Sequence, residues 1–268
     1  MEYIPLPFIV QQIKQIQKRD ILYIVSDIFE LSKIAREHGE IFDREYFLDT
    51  LMEAIGTDGT LMIPTFNWDF CKGITFDYKK TRCKTGALGT AALKNGKYIR
   101  TKHPIYSFAV RGKMAMKLYD IDPQNSFGKG SCFDFMCQNQ AKALVIGLPA
   151  MKGMTFLHHA EQMIGVPFRY HKYFTAGYTD KDGRTEQRTY SMYVRNLDMD
   201  VKEQTEPFNT LIEALGVCQT KIINAVPFRI IFLQDLMELL RMDIVYNDCR
   251  NLYVYKGQLK SDVNKIFK

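Results

Sequence analysis

Two histidines and a carboxylate stand together at His158-His159-Ala160-Glu161. In a helix, His158 and Glu161 fall at i and i+3, on one face. A carboxylate so placed accepts the proton of one imidazole nitrogen. That fixes the tautomer and leaves the other nitrogen a free base. His159 points about 100° away and does not share the partner. The pattern is not HExxH, and neighbouring histidines do not converge on one ion, so no metal site is read here. His-x-x-Glu also arises as a surface ion pair. Its meaning therefore depends on what accompanies it.

Several other chemistries are disfavoured. Phe127-Gly128-Lys129-Gly130-Ser131 is superficially like a phosphate loop, but its lysine is not followed by Ser or Thr. No GxGxxG follows a strand and no GxSxG elbow is present. The six cysteines, at 71, 83, 132, 137, 218 and 249, form no CxxC pair. The first twenty residues carry no secretory pattern, and no apolar run is long enough to span a bilayer. These features predict a cytoplasmic protein with reduced thiols and no membrane insertion.

The elements that must position the dyad follow from hydrophobic spacing. Phe8, Ile9, Ile13 and Ile16 recur at helical period after Pro7. Ile21–Val25, Thr60–Ile63 and Ala143–Ile146 are short apolar runs of the buried-strand kind, with Pro64 and Gly147 closing the last two. Residues 42–55 return to helical period, and Gly56 suits a stop. Tyr190–Arg195 and Leu252–Tyr255 read as strands, and Ile230–Arg241 as a helix. A DG turn at Asp182-Gly183 predicts a hairpin arm within 176–206. With 268 residues and no Pro/Gly/Ser-rich linker, the chain reads as a single α/β layered domain over 1–268.

The chain carries 36 Lys and Arg against 30 Asp and Glu, an excess of six cations. Residues 71–102 hold nine of the basic residues and only Asp77 among the acids, so the remainder is close to neutral. Such a run is either a solvated basic face or a patch that meets a polyanion. No nucleic-acid-binding signature accompanies it, so nucleic acid is not the expected partner.

Four further blocks precede the dyad in order. They are Gly59-Thr60-Leu61-Met62-Ile63-Pro64-Thr65-Phe66, then Phe76-Asp77 with Thr81-Arg82-Cys83-Lys84-Thr85-Gly86-Ala87-Leu88. Arg100-Thr101-Lys102-His103-Pro104-Ile105-Tyr106-Ser107-Phe108-Ala109 comes next, and Gly128-Lys129-Gly130-Ser131 after it. With Leu157-His158-x-x-Glu161 these blocks resemble the aminoglycoside 3-N-acetyltransferase family, across roughly residues 20–175. The resemblance implies a layered α/β/α sandwich with a mixed, largely antiparallel central sheet, unrelated to the GNAT acetyltransferases. It implies acetyl transfer from acetyl-CoA to a sugar amine, with His158 as general base and Glu161 orienting it.

The same resemblance places the cofactor against Ser26, Asp27 and Ile28 after the first strand, and against Arg100, Thr101, Lys102, His103 and Ser107. Of these, His103 reads as a structural or ligand-positioning residue in preference to a second base. Asp27 departs from the family's serine there. It is tolerable beside phosphate only if it caps the next helix. Thr65, Trp68, Asp69 and Asp77 border the expected acceptor cleft, with Trp68 placed to stack on a ligand. Arg82 and Lys84 are departures that add cations beside that cleft, and Arg169 and Lys172 add more after the dyad. A cationic surround repels a polycation and suits a diphosphate. The acceptor expected from these departures is an amino sugar, preferably nucleotide-linked, of surface-glycan synthesis. Aminoglycoside 3-N-acetylation and a catalytically silent acyl-CoA- or polyanion-binding protein are the alternatives.

Overall fold

The computed structural model describes residues 2–257 and Leu259. Its strands are β1 (Ile21–Ser26), β2 (Thr60–Pro64), β3 (Phe76–Asp77), β4 (Ile99–Arg100), β5 (Phe108–Gly112), β6 (Lys142–Ile146), β7 (Arg169–Thr179), β8 (Thr185–Arg195), β9 (Lys202–Glu203), β10 (Cys218–Ile223), β11 (Val226–Phe232) and β12 (Tyr253–Val254). The helices are α1 (Leu6–Ile9), α2 (Phe29–Glu37), α3 (Arg44–Ile55), α4 (Ala87–Lys94), α5 (Ala115–Asp120), α6 (Cys132–Gln138), α7 (Phe156–Ile164), α8 (Glu206–Ala214) and α9 (Leu233–Tyr246).

Seven strands form one sheet in the order β10-β11-β6-β1-β2-β5-β4. Its two central pairings, β6 with β1 and β1 with β2, are parallel. The four outer pairings are antiparallel. The sheet is thus mixed and largely antiparallel, as expected. Side chains alternate across it. Leu22, Ile24, Leu61 and Ile63 pack with Phe47, Leu51 and Ile55 of α3. Tyr23, Val25 and Met62 face the opposite way, into a layer holding Phe133 of α6, Phe156 of α7 and Leu236 and Leu240 of α9. Burial on both faces explains why these strands read as continuous apolar runs.

Three local expectations need adjustment. The N-terminal helical spacing yields only α1 and a 3-10 turn at Val10–Gln12, not a helix to Ile16. Ile230–Phe232 are strand, and the helix begins at Leu233. A short apolar run fits either period, and pairing of β11 along β6 settles it as strand. The hairpin is formed by β7 and β8 and begins at Arg169, earlier than the polar composition marks it. Its turn places Gly183 at φ 86°, a left-handed value that favours glycine.

Candidate active site

The carboxyl ends of β1, β2 and β6 share one edge of the sheet, the edge where open α/β sheets hold ligands. A cleft of about 350 Å³ opens there, walled by Val25, Pro64, Phe66, Trp68, Leu88 and Leu148, with Ser26, Thr85 and Thr155 among its polar groups. Gly89 brings α4 onto the end of β2. A Cβ at that position would stand 2.3 Å from the Pro64 carbonyl oxygen. A larger open groove, about 770 Å³, lies at the amino ends of β1 and β2. Its charges pair with one another, Arg19 with Asp58 and both Lys97 and Arg111 with Asp49. It lies at the opposite edge of the sheet from α7 and its histidines.

Helix α7 begins beside that cleft, after Thr155. His158 lies one turn further on, on the same face as Thr155. Its Nδ1 is 2.8 Å from Glu161 Oε2. A carboxylate only accepts, so Nδ1 carries the proton and Nε2 keeps its lone pair. The His158 side chain is 31% exposed while that of Glu161 is fully buried, so the base reaches solvent and its orienter does not. Phe127 orients both histidines. Its ring packs edge-on to His158 at 5.3 Å, and its carbonyl accepts from His159 Nδ1 at 2.5 Å.

Glu161 is held from three sides. Arg169 Nε stands 2.8 Å from Oε2, and Tyr253 donates its hydroxyl proton to Oε1. The Arg169 N–H does not point along that line, so the contact is ionic and not a directed hydrogen bond. Burial opposes the Glu161 charge, but the His158 hydrogen bond, the neighbouring positive charges and the Tyr253 hydroxyl outweigh it. The carboxyl therefore lies below its ordinary pKa and stays ionised. Burial likewise opposes the charge on Arg169, and Glu161 restores it.

The structure redistributes the other residues singled out in the sequence. Ser26 and Trp68 line the cleft. Ile28 is the N-cap of α2, and the Asp27 carboxylate, one residue earlier, accepts from the Phe29 backbone N–H at 3.0 Å. Ile28 is buried in the layer beneath α2 and α3, away from the cleft. The Arg100–Ser107 block is internal scaffolding. The Arg100 guanidinium is spent on the carbonyls of Thr81 and Thr65 and on Ser107 Oγ. Thr101 Oγ1 accepts from the Phe108 N–H, and Ser107 and Thr65 bond each other. His103 is buried, its Nδ1 accepting from the N–H groups of Ile105 and Tyr106. Burial pushes it down to about 3, so it is neutral. Lys102 lies over the Tyr119 ring at 4.7 Å. Arg100, Thr101, His103 and Ser107 thus satisfy a buried loop, while Lys102 is partly exposed with its ammonium over a ring.

The expected acceptor residues separate in the same way. Asp77 caps the turn at Lys79 and Lys80, and Lys84 is paired to Asp69 at 2.6 Å. Arg169 lies under Glu161 and not in the cleft. Arg82 and Lys172 are exposed cations. Three side chains beside the dyad or the cleft carry no motif of their own. Tyr253 comes from a distant strand. Thr155 stands three residues before His158, and the Tyr23 hydroxyl lies inside the apolar run Ile21–Val25.

An imidazole backed by a buried carboxylate stands one helical turn from Thr155 in the wall of an apolar cleft, on a layered mixed α/β sheet. A family model for aminoglycoside 3-N-acetyltransferases matches residues 30–242, most of the chain, and the chain belongs to that family. The family is one of acyl-CoA-dependent N-acetyltransferases with acetyl-CoA as acyl donor, and this protein is an enzyme of that kind. Among solved structures, aminoglycoside acetyltransferase AAC(3)-Xa superposes with a TM-score of 0.74 at 20% identity, over 89% of this chain and 91% of that one. AAC-IIIb in binary complex with CoASH gives 0.75 at 17% identity, over 90% and 95%. Sisomicin-bound AAC-VIa gives 0.72 at 16% identity, over 91% and 98%. These likenesses establish the fold. No curated protein matches the chain. Among the described residues, no helix is long and apolar enough to cross a membrane.

Proposed function

We propose that His158 is the general base for acetyl transfer from acetyl-CoA to the amine of an amino sugar, with Glu161 orienting it. The observation that carries this is the 2.8 Å bond from His158 Nδ1 to a fully buried carboxylate, which leaves Nε2 free one helical turn from Thr155 in the cleft wall. An ammonium is not a nucleophile. A positioned base that takes its proton lets nitrogen attack the thioester carbonyl. Glu161 then stabilises the imidazolium. The cleft suits the acyl-bearing arm of the donor. Its walls are apolar, and its polar groups are neutral hydroxyls matched to amide and thioester oxygens. We read the chain as one acyltransferase domain, with the β7–β8 hairpin supplying Arg169 as its root.

For the acceptor we favour an aminoglycoside-like polyamine. The argument for a diphosphate rested on Arg82, Lys84, Arg169 and Lys172, and two of these are engaged by Asp69 and Glu161. Asp69 then offers a carboxylate near the cleft on which an arriving ammonium exchanges with Lys84. Relatives point the same way, since AAC-VIa has been captured with sisomicin and AAC(3)-IVa with apramycin. A nucleotide-linked amino sugar is the second reading, favoured by the exposed Arg82 and Lys172. The test is thiol release from acetyl-CoA across a panel of both acceptor types. Turnover confined to nucleotide sugars replaces the first acceptor by the second. Turnover with neither ends the amino-sugar reading.

A further inference from the structure

A hydroxyl without a partner lies at the closed end of the cleft. Tyr23 stands in the middle of β1, and its side chain is fully buried. The ring is wedged edge-on between Phe108 and Phe133, with centroids 5.9 and 6.5 Å away, so it cannot swing. Its hydroxyl lies close to both the side chain and the backbone N–H of Thr155 at the start of α7, short of hydrogen-bonding geometry with either. Among the described residues, it meets no group in hydrogen-bonding geometry. A buried orphan hydroxyl is costly, and phenylalanine would fill the same space without the cost. Burial raises the Tyr23 pKa, so the group is a neutral donor.

Thr155 and Tyr23 both line the cleft. Thr155 is partly exposed, and its side chain caps no N–H of α7. It precedes His158 by three residues, on the same face of the helix. The His158 N–H bonds to the Thr155 carbonyl at 3.0 Å, so the two residues move as one. One reachable hydroxyl with an idle buried donor beside it, a turn from the base, is an arrangement that ligand binding completes.

We propose that Tyr23 is a positioning residue for acyl transfer: its hydroxyl donates to Thr155 Oγ1, and the Thr155 hydroxyl donates to the carbonyl oxygen of the acyl thioester. This rests on the acetyl-transfer reading above. As the amine attacks, a C–N bond forms and the carbonyl electron pair moves onto oxygen, where Thr155 receives it. On collapse the C–S bond breaks and the thiolate departs with its pair. The ammonium first gives one proton through His158 to solvent; the second, shed as the C–N bond forms, passes to His158 and then to the thiolate. Tyr23 and Thr155 keep their own protons. Two hydroxyls in series polarise each other, and neither reorganises during the step.

The test is a cycle of Tyr23→Phe, Thr155→Val and the double variant. Thr155→Val lowers kcat on the order of a hundredfold, and Tyr23→Phe on the order of tenfold. In the Thr155→Val background, Tyr23→Phe costs nothing further, because it acts through Thr155. Tyr23→Phe melts no lower than the wild type. A second arm needs no acceptor. A ketone analogue of acetyl-CoA, with a methylene in place of sulfur, keeps the carbonyl but cannot transfer it. It binds the wild type more tightly than CoA does, and Tyr23→Phe loses that preference. Unchanged kcat, additive losses or a lower melting point in Tyr23→Phe would overturn the inference, as would a wild type that binds the ketone no better than CoA. If no amine releases thiol while the ketone preference is present and lost in Tyr23→Phe, the acceptor reading fails and this one stands.

Discussion

His103 and His158 sit in two of the five blocks that identify the family, and they are opposite kinds of histidine. His158 has a carboxylate on one nitrogen and leaves the other one helical turn from Thr155 in the cleft wall. His103 is buried, turns Nδ1 on two backbone N–H groups, and sets Nε2 3.4 Å from Ser126 Oγ. One imidazole keeps a ring nitrogen free of protein partners. The other is a fixed acceptor that closes a loop. Residue type does not separate them; the partner does. A carboxylate that only accepts primes a base, whereas amides that only donate consume one.

Four experiments can break or sharpen that contrast. The largest effect is expected on rate. His158→Ala should lower kcat by about two to four orders of magnitude with CoA binding and melting temperature retained. If His103→Ala lowers kcat per folded molecule equally, the contrast is wrong. Next comes Glu161→Gln, which leaves the Arg169 charge buried without its counter-ion. It should cost about 3–5 kcal/mol in chemical denaturation and also slow turnover. A variant as stable as the wild type would show that Arg169 does not depend on Glu161.

The third effect is smaller and appears only in stability. His103→Ala orphans two buried N–H groups and should cost about 1–3 kcal/mol. It carries a pH signature as well. The folded-state pKa of His103, about 3, lies below that of an unfolded histidine, so the unfolded chain binds the extra proton. Its contribution to stability is therefore complete above about pH 6.5 and is lost as pH falls towards 3, with a slope approaching about 1.4 kcal/mol per pH unit. Denaturation of wild type against His103→Asn across that window should show the slope in the first and its reduction in the second. The smallest effect is at Lys84. Lys84→Ala frees Asp69 from a half-exposed ion pair and should leave stability within about 1 kcal/mol. It should lower KM for a cationic aminoglycoside severalfold, more at low salt. A raised KM would show Lys84 serving the acceptor directly.

The dyad was legible because its two residues are three apart on one helix, where geometry is local. The central strands were legible because burial on both faces leaves an unbroken apolar run. The Arg100–Ser107 block was legible as a block but not in its purpose. Arginine, histidine and serine look like ligand-binding types, yet here they meet the hydrogen-bonding demands of a buried loop. Arg169 misled for a related reason. It follows the dyad within a basic, aromatic stretch, and only the inward turn of β7 shows that its charge serves Glu161 and not a phosphate. The basic run of 71–102 is answered only in part, since Lys84 and Lys97 pair with Asp69 and Asp49, acids that lie outside it in the sequence.

The Tyr253 contact sets a timetable. Glu161 and the hydroxyl that steadies it are 92 residues apart, and Arg169 arrives from the root of the hairpin between them. Closing so long a loop comes late in assembly, after local helices and nearby strands have formed. A refolding chain should therefore regain its circular dichroism before it regains turnover. For that interval it would be a folded enzyme with an untethered base.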